Sequence, residues 1–82
     1  MFFKRRNKLD DVRPGAIFER TCPHNLIEVA EVTWVGTGPC GVPHVRYQMF
    51  YRRPDQQDTQ GDRILALDCF AQRYPSMARA GA

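Results

Sequence analysis

Two runs in which apolar and polar residues alternate dominate the chain, at 26–35 (LIEVAEVTWV) and 44–51 (HVRYQMFY). The segment between them, GTGPCGVP, contains three glycines and two prolines. Alternation with a period of two on both sides of a glycine- and proline-rich loop predicts a β-hairpin. The two runs therefore indicate a chain built mainly from antiparallel β-strands.

The position of the hairpin turn predicts which residues face each other. If the turn centres near Pro39, Trp34 lies opposite Val45 and Val32 lies opposite Tyr47. The polar residues between them then also pair with one another. This register gives the hairpin one apolar and one polar face.

The alternation is interrupted within the first run. Glu28 and Glu31 are three residues apart, so a regular strand would place the two carboxylates on opposite faces. One extra residue restores the alternation, and we predict a β-bulge at Val29–Ala30. The resulting register leaves Phe50 on the outer face and turns three other aromatic residues into the core, namely Trp34, Tyr47 and Tyr51.

The remaining segments complete the predicted fold. Residues 10–20 predict a turn and a first strand, 52–62 a polar loop, 63–67 a further strand, and 68–73 either a short 3-10 turn or a short helix. We therefore predict an all-β, mainly antiparallel fold, a small five-stranded barrel of the SH3-like type, because closure removes exposed strand edges. An open antiparallel sheet carrying a C-terminal helix is the alternative.

The segments PG-x-IF, IEVAEV, VRYQMFY and R-x-L-x-L-x-x-F, in this order, resemble small bacterial SH3-like domains of unknown function. The resemblance covers roughly residues 12–74. It implies a fold and no established activity. The chain departs from the pattern in its long 52–62 segment and in lacking a proline after Arg63. The matching positions are Pro14, Gly15, Val45, Tyr47, Arg63, Leu67 and Phe70.

The positive charge of the chain is concentrated at its N-terminus. A chain of 82 residues accommodates one domain, which we expect at 10–75, preceded by a flexible basic arm (1–9) and followed by a disordered tail (76–82). The arm contains four basic residues and no acidic one. Residues 10–82 contain eight basic and nine acidic residues, a net charge of −1. The body of the protein is therefore close to neutral, and the overall charge of +3 says little about its folded surface.

Two pairs of residues, Cys22 with His24 and Cys40 with His44, offer ligands of the types that zinc prefers. The first strand of the hairpin lies between the pairs and would hold them about 30 Å apart if straight. Cys69 follows an acidic residue, which disfavours its thiolate and hence a nucleophilic role. We therefore expect no metal, no cofactor and no enzymatic activity.

The cysteines and the apolar segments of the sequence predict the cellular compartment. An odd number of cysteines at irregular spacing is typical of a reducing compartment. No apolar run approaches the roughly 20 residues of a membrane-spanning helix, and the N-terminus does not have the pattern of a signal peptide. These features predict a cytoplasmic protein without a transmembrane segment.

Two functional hypotheses follow. The first is a non-catalytic interaction module that docks a protein or peptide through its loops or an exposed strand face. The alternative is a nucleic-acid-associated barrel, in which the basic arm and arginines contact phosphates while an exposed aromatic stacks on bases. Pairing of these arginines with acidic residues would weaken the alternative. The candidate binding residues are Lys4, Arg5, Arg6, Lys8, Arg46, Phe50, Arg52 and Arg53.

Overall fold

The structure is a computed structural model that describes residues 8–38, 40–53 and 56–81, with the backbone alone described for 8–9, 53 and 56–60. The described part begins with a 3-10 turn and contains one α-helix and one sheet. Its elements are the 3-10 turn Lys8–Asp11, β1 (Ile17–Cys22), β2 (Leu26–Thr37), β3 (Pro43–Arg53), β4 (Gln56–Ala66), α1 (Leu67–Arg73) and β5 (Ser76–Arg79).

The five strands form one antiparallel sheet in the order β4-β3-β2-β1-β5. Strands β1 to β4 follow one another as a meander, and β5 returns to pair with β1. The mainly antiparallel fold and the short helix expected near 68–73 are therefore confirmed. The edge strands β4 and β5 are not neighbours in the sheet, which is not closed, so the SH3-like barrel itself stays a prediction.

Two short turns set the meander. Between β1 and β2, His24 and Asn25 adopt positive φ angles of 66° and 62°, a backbone conformation that Asn and His tolerate better than most residues. The second turn connects β2 to β3, where the Gly41 amide donates to the carbonyl of Gly38 at 2.9 Å. Both turns lie where the glycine-, proline- and asparagine-rich segments predict them.

The polar segment 52–62 was expected to be a loop, and this prediction is wrong for 52–53 and 56–62, while 54–55 lie outside the described residues. β3 continues to Arg53, and β4 pairs with it from Gln56 onward, so that Arg52 lies opposite Gln57. Antiparallel strands bond through their backbones, and such an extension does not require an apolar face. Met49 pairs with Gly61 and Phe50 pairs with Thr59, so the register shifts by one residue there, and the φ of 100° at Gly61 suits a β-bulge.

The predicted tail also contains a strand. β5 pairs with β1 so that Met77 lies opposite Phe18 and Ser76 lies opposite Glu19. All four of its side chains are exposed, so the strand has no buried apolar side chain from which it could be predicted. It is bonded to the sheet through its backbone. The ordered sheet therefore extends past the expected domain boundary at residue 75.

The hairpin register is confirmed in its centre and wrong at its bulge. Val32 lies opposite Tyr47 as predicted, and the extra residue is Thr33, between Val32 and Trp34. No bulge is needed at Val29–Ala30, because the side chain of Glu28 points into the protein. With Glu28 inward, the alternation runs regularly from there to Val32 on the inner face.

The core lies between the inner face of the sheet and α1. Phe70 from the helix packs its ring edge-to-face against Phe18 of β1, with centroids 5.3 Å apart, and against Tyr47 of β3 at 5.0 Å. Each such aromatic pair contributes about 0.5–1.5 kcal/mol beyond its buried area. The buried core residues are Val12, Ala16, Phe18, Ala30, Val32, Val45, Tyr47, Met49, Phe70 and Tyr74.

The inward placement of Tyr47 is thus confirmed. Tyr51 is half-buried and packs against the core, which agrees with its predicted face. Trp34 is different: it is exposed on the outer face, the face of the sheet that points away from α1. The bulge at Thr33 explains the error, because it returns the inward position to Val35, which pairs with Val45.

Candidate binding site

Trp34 is the largest exposed apolar side chain of the described residues and is 44% exposed. Its indole ring lies on the backbone at Gly36, where an added Cβ would stand 2.5 Å from Trp34 Cη2. The guanidinium of Arg46, directly across the hairpin, lies over the ring at 5.9 Å from its centroid. A glycine below the ring and an arginine beside it therefore hold Trp34 in a defined position on the surface.

A shallow groove of about 450 Å³ runs beside Trp34 on this face. The groove crosses strands β2, β3 and β4, and we call it the outer groove. Ile64 of β4, which is 53% exposed, supplies a second apolar side chain. The residues that line it are Thr33, Arg46, Tyr47, Gln48, Asp62, Arg63 and Ile64.

Polar contacts across the strands fix the floor of the outer groove. Thr33 Oγ1 donates a hydrogen bond to the carbonyl oxygen of Arg46 at 3.1 Å. Gln48 Nε2 donates to Asp62 Oδ1 at 3.2 Å. These bonds join β2 to β3 and β3 to β4, so the groove is part of the rigid sheet and not of a loop.

The chemistry of the outer groove is that of binding. Ile64 in the groove and Trp34 next to it pair with Arg46 from the two neighbouring strands, and a guanidinium donates hydrogen bonds to carboxylate or carbonyl oxygens. Arg46 and Arg63 are accompanied by Asp62, so the charge of the lining is only slightly positive. No nucleophile paired with a base lines this groove in the described part of the chain.

The structure accounts for three of the eight predicted binding residues with their side chains. Arg46 lines the outer groove as just described. Phe50 lies between the inward residues Met49 and Tyr51, and therefore on the outer face as predicted. It is half-buried, however, and pairs with Val29, where Glu28 was expected.

Arg52 is engaged in an ion pair. Its Nη2 lies 2.5 Å from Glu19 Oε2 on the neighbouring part of the sheet. Pairing of an arginine of this face with an acidic residue is the arrangement that weakens the nucleic-acid alternative. Lys4, Arg5 and Arg6 lie outside the described residues, and the side chains of Lys8 and Arg53 are not described, so the proposed basic surface is untested.

A second polar cluster, which the sequence analysis missed, surrounds Glu28. This carboxylate is 1% exposed. It accepts hydrogen bonds from Arg73 Nε at 3.1 Å and Nη2 at 3.2 Å, and from the hydroxyl of Tyr74. Arg20 Nε lies 3.7 Å from Glu28 Oε1. A buried carboxylate is stable only when paired and hydrogen-bonded in this way.

The two buried tyrosines near this cluster, Tyr74 and Tyr47, have raised pKa values. Burial raises the pKa of Tyr74, and its hydrogen bond to Glu28 raises the pKa further. Burial also raises the pKa of Tyr47. Tyr74 therefore remains a hydrogen-bond donor to Glu28 at any physiological pH.

The cysteines and histidines do not come together with other ligands. All three cysteines are free, and His44 Nδ1 forms a hydrogen bond with the carbonyl of Val42 at 2.8 Å. Within 8–38, 40–53 and 56–81, no three residues of the types His, Cys, Asp and Glu are placed to hold a metal ion. In the same residues, no helix has the length and apolarity needed to cross a membrane.

Comparison of the chain with protein-family models, with curated proteins and with solved structures found no match in any of the three.

Proposed function

We propose that the protein is a non-catalytic binding module whose outer groove docks an extended segment of a partner protein. The observation that carries this proposal is Trp34, exposed and yet held in one orientation by Gly36 and Arg46. The segment would place an apolar side chain between Trp34 and Ile64 and an acidic side chain against the guanidinium of Arg46.

The energetics of interfaces favour this role for Trp34. Tryptophan and arginine are enriched among the few interface residues that carry most of the binding free energy. A side chain that is already ordered loses little conformational entropy when a ligand covers it. Trp34 and Arg46 already lie against each other in the free protein, which supports such a role for the pair.

The charge of the surface supports a protein segment over a nucleic acid. Binding to the backbone of a nucleic acid depends on several basic side chains that each neutralise a phosphate along one surface, and residues 10–82 have a net charge of −1. Arg52 is paired with Glu19, and Phe50 is half-buried. The aromatic and basic face of the nucleic-acid hypothesis is thereby weakened, and we retain that hypothesis as an outcome of the test below.

We also propose that the sheet is of the SH3-like type that the sequence resembles. The return of the last strand to the first, next to a short helix, supports this assignment.

The test is a selection of peptides from a random displayed library on the immobilised full chain. Trp34 is the only tryptophan, so binding of a selected peptide at the outer groove would change the intrinsic fluorescence. We expect selected peptides to share an apolar and an acidic residue and to shift the emission of Trp34. A single-stranded oligonucleotide is titrated in parallel at two salt concentrations.

Three results distinguish the hypotheses. Enriched peptides that shift Trp34 emission support the docking function. Peptides that bind without changing this emission contradict the outer groove as the site. An oligonucleotide that shifts the emission at low salt and is released at high salt, with no peptide enriched, supports the nucleic-acid alternative instead.

A further inference from the structure

A second groove, of about 480 Å³, lies where β1 and β5 meet the end of α1. It is lined mainly by residues that donate hydrogen bonds, and we call it the arginine groove. Its lining includes Glu19, Arg20, Thr21, Gln72, Arg73 and Ser76.

We propose that the arginine groove binds a phosphate monoester group. This inference is independent of the peptide-docking function proposed above, because Arg20 contacts the buried Glu28 while the outer groove lies on the opposite face of the sheet. The ligand class follows from the number of donors, their fixed positions and the charge of the groove.

The buried carboxylate of Glu28 contacts the guanidiniums of both Arg73 and Arg20. Arg73 binds it through two nitrogen atoms, and Arg20 lies 3.7 Å from the same carboxylate. The side chain of Glu28 is 2% exposed, whereas those of Arg20 and Arg73 are 35% and 42% exposed. Arg73 is therefore hydrogen-bonded to a buried acceptor and Arg20 forms an ion pair with it, while part of each side chain faces solvent.

Two guanidiniums have more donors than one carboxylate can accept. A guanidinium has five N–H groups, whereas a carboxylate has about four acceptor positions, and the acceptor that both arginines contact is Glu28. The N–H groups beyond those that Glu28 accepts can serve a ligand in the groove. Thr21, Gln72 and Ser76 add neutral donors at its edges.

The charge of the groove suits a dianion. Glu28 neutralises only one of the two arginines, and Glu19, the other carboxylate in the lining, is paired with Arg52. A phosphate monoester carries about −1.5 to −2 charges at pH 7 and three terminal oxygens. Two separate guanidiniums can each bind different oxygens of such a group, whereas a carboxylate has two oxygens and one charge.

The test is a nuclear magnetic resonance titration of the ¹⁵N-labelled full chain with phenyl phosphate, using benzoate as the matched carboxylate. We expect saturable shifts at the amides around residues 20–21 and 72–76, with a Kd about tenfold lower for phenyl phosphate than for benzoate. The affinity for phenyl phosphate should fall below about pH 6, where the phosphate takes up a proton. Equal or non-saturating responses to both compounds would overturn the proposal.

Two variants locate the site. Arg20→Gln removes one guanidinium and should weaken phenyl phosphate binding about tenfold or more, whereas Arg13→Gln, the same change in charge at an exposed arginine that lines neither groove, should not. Should Arg20→Gln impair folding, Ser76→Glu places a negative charge at an exposed position of the groove and should also weaken binding. Unchanged binding in the folded variant contradicts the site.

Two further ligands identify the source of the phosphate. N-acetyl phosphoserine amide represents a phosphorylated side chain, and AMP represents a nucleotide. Tighter binding of either compound than of phenyl phosphate, lost in the same variant, supports the site and indicates the class of its natural ligand. Shifts from AMP that lie at Trp34 and not at the arginine groove count against it.

Discussion

Removal of the Tyr74 hydroxyl is the most informative perturbation of the fold. Tyr74 is fully buried and donates its hydrogen bond to the buried carboxylate of Glu28. Tyr74→Phe keeps the ring in the core and leaves a charged acceptor with one donor fewer. Hydrogen bonds to charged groups are worth about 1.5–3 kcal/mol, and we expect the free energy of unfolding to fall by about 2 kcal/mol.

This loss is large for a domain of this size. A change of 1 kcal/mol shifts the Tm of a domain of 60–100 residues by about 4–8 °C, so the variant should melt roughly 8–16 °C lower. The assay is urea unfolding followed by the fluorescence of Trp34 and by circular dichroism. Because Trp34 lies outside the core, agreement of the two signals also tests whether unfolding is two-state.

The matched control is Tyr51→Phe, which removes a hydroxyl from a half-buried tyrosine at the edge of the core. We expect it to change the free energy of unfolding by less than about 0.5 kcal/mol. If Tyr74→Phe were as mild as this control, the bond to Glu28 would not contribute to stability, and the account of the buried cluster would be refuted.

Three further outcomes are expected. The pKa values of Tyr74 and Tyr47 are raised in the folded state. The protonated tyrosines therefore contribute in full to the free energy of unfolding below the unfolded-state pKa of about 10, and this contribution is lost as the pH rises above it. Urea titrations from pH 8 to 11 should show this decline, and a smaller one in Tyr74→Phe; a stability that is flat across this range contradicts it. Trp34→Ala should lower the free energy of unfolding far less than Phe18→Ala, for which about 3–5 kcal/mol is typical of a buried ring, and equal losses would place Trp34 in the core. Gly36→Ala should displace the indole of Trp34, because the added Cβ would occupy the position of the ring. The emission maximum of Trp34 should therefore change, and an unaltered spectrum would contradict the contact between the ring and Gly36.

The hairpin was predictable because its information is local. Alternation of apolar residues and the glycines of the turn determine which residues face each other, and the pairing of Val32 with Tyr47 agrees with that pattern. The short helix was predictable for a similar reason. The second half of β4 lies in the predicted strand 63–67. The first half of β4 and the whole of β5 were not predicted, because they are polar or exposed and are held by backbone hydrogen bonds that leave no mark on the sequence.

The misplaced bulge shows where local reasoning ends. A glutamate in a strand is most often solvated, and on that assumption the spacing of Glu28 and Glu31 requires a bulge between them. Glu28 is buried because Arg73 and Tyr74, 45 and 46 residues away in the chain, supply its hydrogen bonds. Only the tertiary structure brings these groups together. Without them the bulge is assigned to Val29–Ala30 and not to Thr33, and Trp34 is then wrongly assigned to the inner face.

The candidate binding site was predictable from the sequence only in part. Arg46 was identified from its place on the polar face of the hairpin, and it lies in the outer groove. Its aromatic neighbour Trp34 was not, because a register without a bulge at Thr33 turns Trp34 into the core. The arginine groove depends on strand β5 and on the burial of Glu28, and neither feature is visible in the sequence.

The central claim is that Trp34 is the main contact of a docking surface, and its most direct test is the Kd of a selected peptide. The peptide carries a fluorescent label, and its anisotropy is measured with the unaltered protein and with Trp34→Ala. The control is Met77→Ala, since Met77 is an apolar residue of similar exposure on β5. We predict that Trp34→Ala raises the Kd about 30-fold, as expected for an interface residue worth about 2 kcal/mol, and that the control leaves it unchanged. An equal Kd for Trp34→Ala and the unaltered protein would contradict the account.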